Sequence, residues 1–377
     1  GDVYKRQCGY CNLFSLQTNR TEYIATYLDT LHRQAQQLSP LTAGLTFDSF
    51  AIGGGTPLLL TVPQLEQLMA TAALFGVHPS HAFTSVETSP EYADRPRLNV
   101  LKKAGVSRVS IGIQSFQDEE LKAIKRRPRQ NTIYQALDDI RQMDFPYFNI
   151  DLIYGIKGQT VESFLYSLEE ALRFQPNELF IYPLYVRQGT GITEREPDDV
   201  CFRMYRAACK LLQAKGFLQT SMRRFIHHPS TDAEVSCGDE VMLSCGSGGR
   251  SYLGDLHYAT RYTVCQQCIA REIDEYMATT DFTVARNGFI LSAKEQQQRF
   301  IIKNLMYYMG IDKAEYTRRF GEPLDRTPLF RQLAEQYWIE ETPERIRLTP
   351  EGLGYSDYIG QLFITPEIRQ LMETYSY

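Results

Sequence analysis

The stretch CGYC sets Cys8 and Cys11 three residues apart, a spacing that lets two thiolates share a metal or act as a redox pair. Two thiolates alone complete neither common metal centre. Zinc takes four ligands, and an iron–sulfur cubane takes four thiolates, or three where one iron stays open. Further polar residues stand at the ends of apolar runs. IGGGTP (52–57) closes one run, Glu87 ends AFTSVET, Gln114 ends RVSIGIQ, and Asp151 lies inside NIDLIYG. A carboxylate inside so apolar a segment is costly without a partner. A ligand, a cation or a neighbouring Arg is therefore expected beside Asp151.

These residues need elements to hold them. The runs FDSFAIGG (47–54), AFTSVET (82–88), RVSIGIQ (108–114), FNIDLIYG (148–155) and ELFIYPLYV (178–186) read as strands. Helical segments fall between them. TVPQLEQLMATAAL starts on Thr61 and Gln64 as a capping box with Pro63 in its first turn. RPRLNVLKKAG closes on Gly105, and a helical stretch begins near Asp118. NTIYQALDDIRQM puts Ile133, Leu137 and Ile140 on one face, and TVESFLYSLEEALRF does the same with Phe164, Leu168 and Ala171 or Leu172. Near-continuous apolar strands alternating with helices predict a parallel sheet covered on both faces. In such folds ligands gather at the C-terminal strand ends, where Glu87, Gln114 and the glycine turn lie.

The chain has 377 residues, 43% hydrophobic and 23% charged, with a formal net charge of −5. This predicts a globular protein with no general attraction to nucleic acid or to an anionic membrane surface. No run has the ~20 apolar residues of a membrane span. The polar start lacks a signal sequence, so a reducing cytoplasm is the expected compartment. Beyond about residue 190 the texture changes. SCGSGGRSYLGD (244–255) reads as a tight loop against the barrel. Helices in 294–338 followed by the hairpin IEETPERIRLTPEG read as a winged-helix-like tail. The expected division is 1–190, 191–290 and 291–377.

CGYC, IGGGTP, SVETSP, VSIGIQSF, NIDLIYG and RSYLGD, in this order, resemble the radical S-adenosylmethionine (SAM) superfamily. The nearest group is that of the oxygen-independent coproporphyrinogen III oxidases and the related heme chaperones. The resemblance implies an α/β partial (β/α)6-type barrel. It implies a [4Fe–4S] cluster and S-adenosylmethionine as cofactors, cleaved to a 5′-deoxyadenosyl radical. Cys8 and Cys11 match the second and third cysteines of the C-x3-C-x2-C motif, and Tyr4 stands at the first. Residues 1–7 accordingly read as non-native, with the first strand and one cluster ligand missing and activity impaired. Gly54, Gly55 and Thr56 match the turn that meets the methionyl amine. Glu87, Gln114, Arg126 and Asp151 match contacts to the ribose and methionyl groups. Tyr185 and the backbone near Ile153 fall where the family packs the adenine.

The branch is less defined. The oxidases carry a further Cys where Leu13 stands, and the chaperones an HNxxYW motif where this chain reads CGDEVM (237–242). A third, oxidase-like branch with an unidentified substrate is the expectation. A tetrapyrrole is one such substrate, with flavodoxin or ferredoxin as electron donor. The alternatives are a heme-delivery protein and a zinc protein using CGYC and CQQC (265–268). CQQC is left open between a second metal site and helix packing.

Overall fold

A computed structural model describes residues 16, 20–77, 82–126, 130–186, 191–227, 241–261, 263, 265–324, 327–366 and 368–370. Helix α1 (Thr21–Leu38) precedes β1 (Ser49–Ile52). The chain then alternates through α2 (Val62–Ala73), β2 (Phe83–Thr88), α3 (Arg95–Lys103), β3 (Arg108–Gln114), α4 (Asp118–Ala123), α5 (Gln130–Met143), β4 (Tyr147–Tyr154), α6 (Val161–Leu172) and β5 (Glu178–Pro183). Strands β1 to β5 pair in sequence order, all parallel. All five expected strands are present, and the architecture is an open, partial α/β barrel.

Local chemistry explains the boundaries. The Thr61 amide donates to Gln64 Oε1 at 3.0 Å, starting α2 as the capping box predicts. Asp94 caps α3 by accepting from the Arg97 amide at 3.0 Å. The outward faces of the strands are apolar: Val86, Val109, Ile111, Ile150, Leu152, Leu179 and Ile181 are buried against Leu98, Leu101, Ile133, Leu137, Phe164 and Leu168. The inward faces are polar, and that is where the site lies.

After α7 (Asp198–Ala214), β6 (Leu218–Gln219) and β7 (Arg224–Ile226) add an antiparallel edge beside β5. This edge carries a buried ionic cluster. Glu178 accepts from Arg108 Nη1 at 3.2 Å and from Arg224 Nη2 at 2.5 Å, while Arg108 Nε donates to Ser85 Oγ at 3.0 Å. Glu178 is only 1% exposed. The cluster links β2, β3, β5 and β7 across the barrel interior at the N-terminal end of β5.

The segment 244–255 differs from the expected loop. Gly254–Asp255 is the turn between two strands, and the other turn is Gly246–Gly249. It docks on α1, where Gln34 Oε1 accepts from the Gly246 amide at 2.8 Å and Tyr27 Oη from the Ser247 amide at 3.0 Å. The rest is β8 (Arg250–Leu253), which pairs with β9 (Leu256–Ala259); β10 (Gly288–Ile290) completes a three-stranded sheet. Ser251 and Arg250 alternate buried and exposed, a strand period that the glycines and serines before them mask. Helix α8 (Gln266–Ala278) lies between β9 and β10 in sequence.

Helices α9 (Ala293–Leu305), α10 (Lys313–Phe320) and α11 (Pro328–Glu335) form a second core with β11 (Ile311–Asp312), β12 (Ile339–Glu341) and β13 (Arg345–Leu348). Helices α12 (Pro350–Gly354) and α13 (Ser356–Leu362) follow. This is the expected helix–helix–hairpin tail. It meets α7 through aromatic stacking of Phe202 on Tyr355 at 5.1 Å, and within the tail Tyr355 stacks in turn on Trp338 at 4.6 Å. No helix among the described residues is long and apolar enough to cross a membrane.

Truncating Glu178 strands two buried guanidinium groups. Glu178→Ala is expected to destabilise the chain by about 3–5 kcal/mol, read as a shift in the urea unfolding midpoint. A change under about 1 kcal/mol would mean that the cluster is not a structural tie.

Candidate functional site

The first wall of the site is the turn after β1. Gly54 has φ +108°, a conformation that favours glycine. A Cβ on Gly53 would lie 3.1 Å from Glu87 Oε1. The turn therefore comes close enough to the end of β2 for the Gly54 amide to interact with the Glu87 carboxylate. Thr56 lies just beyond, where its carbonyl accepts from the Leu59 amide at 2.9 Å. Gly55 is exposed.

The second wall is the bulge at the end of β3. The pairing of β3 with β4 slips between Gly112 and Gln114, and Gln114 has φ 76°, strain that a non-glycine residue tolerates only when its surroundings enforce it. A Cβ on Gly112 would come within 2.5 Å of Gln114 Nε2 and 3.6 Å of Arg126 Nη1. The missing side chain thus makes room for the Gln114 amide to fold back over its own strand. Arg126, 7% exposed, donates from Nη2 to the Gly112 carbonyl at 2.5 Å.

Asp151 pairs across the sheet with Gly112 on one side and Phe180 on the other. Its Oδ1 accepts from Asn149 Nδ2 at 2.7 Å. Burial pushes its carboxyl up to about 7, against the Asn149 hydrogen bond and with Glu87 adding repulsion. Glu87 behaves similarly. Burial raises its proton affinity, opposed by the Gly54 amide and by Arg108. Glu87 nevertheless keeps an open face to solvent, so burial acts on it less completely than on Asp151. Tyr182, half-buried beside both, is raised well above an ordinary phenol by burial and by these two carboxylates.

The structure thus brings Gly54, Glu87, Gln114, Arg126 and Asp151 to one end of the sheet interior. Two further residues have more particular surroundings. The Ile153 carbonyl accepts from Gln159 Nε2 at 3.2 Å. The Tyr185 hydroxyl donates to Asp357 of α13 and accepts from Arg223 Nη2 at 2.6 Å. That contact ties the barrel rim to the C-terminal region, an arrangement the adenine role does not by itself foresee. Cys8, Cys11 and Tyr4 lie outside the described residues.

Arg108, Glu178, Tyr182 and Arg224 also shape the site but carry no motif, and Asn149 begins NIDLIYG without having been singled out. Their only sequence signal is alternation of polar with apolar residues in strands expected to be buried on both faces. A cavity of about 740 Å³ lies at the other end of β4 and β5, lined by Arg173, Lys215 and His227 among others. It contains none of the five convergent residues.

The folded Asp151 carboxyl holds its proton more tightly than the unfolded one. Its share of stability is therefore greatest below about pH 4 and is lost as the pH rises to about 7. Discounted for partial solvent contact, the loss is worth about 2 kcal/mol. Asp151→Asn is expected to be more stable than the parent chain by that amount at pH 8, with the difference vanishing below pH 4. Denaturant titrations at both pH values check this, and an equal difference at the two would contradict it.

Comparison with known proteins bears on these groups. The Radical SAM superfamily model matches residues 5–171, and the HemN C-terminal domain model matches 291–354. The oxygen-independent coproporphyrinogen III oxidase of Salmonella typhimurium is 30% identical, over 92% of this chain and 80% of its own length. The heme chaperone HemW of Bacillus subtilis is 26% identical, over 94% of this chain and 96% of its own. The solved structure of coproporphyrinogen III oxidase (HemN) from Escherichia coli aligns with a TM-score of 0.81 at 22% identity, over 96% of this chain and 87% of that one. That last likeness concerns the fold.

Proposed function

Because this chain belongs to the radical SAM superfamily, in the group of oxygen-independent coproporphyrinogen III oxidases and heme chaperones, we propose that the polar mouth of its barrel binds S-adenosylmethionine for radical chemistry on a tetrapyrrole-like substrate. The family uses a [4Fe–4S] cluster and S-adenosylmethionine. One observation carries the reading: polar groups from successive strands meet at a turn where Gly53 leaves room against Glu87.

The residues fit the cofactor's chemistry. Glu87 and Asp151 offer acceptors for ribose hydroxyls. Arg126 offers a cation for the methionyl carboxylate, and the Gly53–Gly54 turn lets backbone approach the amine. Asn149 Oδ1, buried with no hydrogen-bond partner among the described residues, is one more acceptor. Cys8 and Cys11 are the thiolates that would hold the cluster. When bound, cluster and cofactor supply one-electron cleavage of a carbon–sulfur bond and hydrogen abstraction from substrate. The protein's own residues bind and orient the cofactor. The wall of Tyr182, Phe180 and Ile153 keeps water from it. The electron would come from a donor of flavodoxin or ferredoxin type.

A second reading, heme delivery without oxidase activity, is favoured by the match to HemW along nearly its full length. One experiment separates the two. The Tyr4→Cys variant is reconstituted anaerobically with iron and sulfide, reduced, and assayed chromatographically for 5′-deoxyadenosine with and without coproporphyrinogen III. The enzyme reading predicts 5′-deoxyadenosine that is lost in Cys8→Ala or Cys11→Ala. It also predicts that Asp151→Ala weakens cofactor binding while iron content holds. A fully loaded cluster that never yields 5′-deoxyadenosine, together with saturable heme binding, would replace the enzyme reading with the carrier.

A further inference from the structure

The CQQC segment sits where the geometry changes its meaning. Cys265 is the N-cap of α8, with extended backbone at φ −72° and ψ 119°, and Cys268 occupies the third helical position. Both thiols are free; Cys265 is exposed and Cys268 half-buried. The helix start is firmly set. The Cys265 amide donates to Thr263 Oγ1 at 3.1 Å, the Cys265 carbonyl accepts from the Ile269 amide at 2.8 Å, and Ile269 is fully buried. Downstream, α8 is fixed to α1 by Tyr23–Asp274 at 2.9 Å, Tyr276–Gln34 at 2.8 Å and Arg33 to the Thr279 carbonyl at 2.9 Å. The thiol pair is thus displayed at the accessible end of an anchored helix.

We propose that Cys265 and Cys268 form a redox-active dithiol that undergoes thiol–disulfide exchange with small-molecule disulfides of the glutathione class. Helical positions three apart bring Cβ atoms within about 5–6 Å. A disulfide needs about 3.5–4.5 Å. The extended N-cap residue supplies the movement that closes the gap. The chemistry balances without a metal. The Cys265 thiolate attacks the external disulfide, forming a mixed disulfide and releasing one thiol. Cys268 then gives up its proton and attacks Cys265 Sγ, releasing the second thiol and closing the internal bond. Two thiols are oxidised and one external disulfide is reduced.

Electrostatics assign the attacking sulfur. No closed side-chain cap forms at Cys265. Even so, the thiol and amide of Cys268 pull the Cys265 thiol below its ordinary value, helped by the Gln267 amide and Arg271. Cys268 moves the other way, raised chiefly by Cys265. The remaining charges near this turn include the Arg261–Glu272 ion pair at 3.7 Å. The other described thiols are poor nucleophiles by contrast. Burial raises Cys201, and pushes Cys209 up to about 11 and Cys245 to about 12. A depressed thiol beside a resolving one at a helix start is the arrangement that favours exchange.

This inference is independent of the cofactor reading, and its test needs neither cluster nor S-adenosylmethionine. The chain is equilibrated in buffers of varied ratio of glutathione disulfide to glutathione, trapped with N-ethylmaleimide and mapped by mass spectrometry. The expected result is a reversible Cys265–Cys268 disulfide, restored to thiols by dithiothreitol. Cys265 should also alkylate several-fold faster at pH 7 than an unstructured peptide spanning 260–272. Cys268→Ser should stall at a glutathione adduct on Cys265, and Cys265→Ser should abolish the fast alkylation. Serine is close in size, and circular dichroism checks that both variants fold. Absence of the internal disulfide at every ratio would overturn the proposal. So would a bound metal that blocks both thiols until a chelator is added.

Discussion

Asp151 is a carboxyl group set into the sheet interior with only part of it open to solvent, and most of the barrel interior is arranged around that cost. Burial favours its proton, the Asn149 hydrogen bond favours its charge, and nearby Glu87 and Glu178 repel that charge while Arg108 attracts it. The balance leaves Asp151 near neutrality of preference at ordinary pH. A single cation entering the barrel mouth would tip it. A structural residue would gain nothing from such poise, since an apolar side chain there would pack at lower cost. A binding residue gains a group that commits its charge only when a partner arrives.

The Arg108–Glu178–Arg224 cluster makes this poise tolerable. It lies lower in the same interior and closes its own charges against one another. Arg108 can therefore moderate Glu87 and Asp151 without neutralising either. The same cluster joins parallel β3 to the antiparallel edge at β7, so charge balance and sheet closure are one device. Above it, the slip in register at Gly112 turns Gln114 and Arg126 toward the mouth. Without that slip the Gln114 side chain would follow the regular pleat of β3, and Arg126, which follows α4, would lose its bonding position at the Gly112 carbonyl.

Much of the barrel was legible because its strands are apolar on the outward face and end in conspicuous residues: glycines after β1, Glu87, Gln114. Asp151 was conspicuous for the opposite reason, a charge inside an apolar run. The ionic floor was not legible. Arg108 and Glu178 each begin a strand, where a charged residue ordinarily marks a solvated edge, and only the folded chain shows that they meet 70 residues apart in sequence. Helix α1 and the sheet β8–β9–β10 were also missed. The first shows no simple apolar stripe, with Thr30 and Gln34 among its buried residues. The second is made of strands only three or four residues long, with glycines at Gly249, Gly254 and Gly288 among them. The Tyr185–Asp357 contact joins residues 172 apart in sequence and has no local signal at all.

The central claim is that Asp151, its carboxyl raised to about 7 by burial, is poised to give up its proton when a cationic ligand enters the barrel mouth. Isothermal calorimetry of S-adenosylmethionine binding at pH 6, in buffers of different ionisation enthalpy, tests it directly. The parent chain should release a large fraction of a proton on binding, because the ligand's positive charge lowers the Asp151 carboxyl. Asp151→Asn should bind with a clearly smaller release, the remainder coming from Glu87. Binding without proton release in the parent chain, or with equal release in both, would contradict the account.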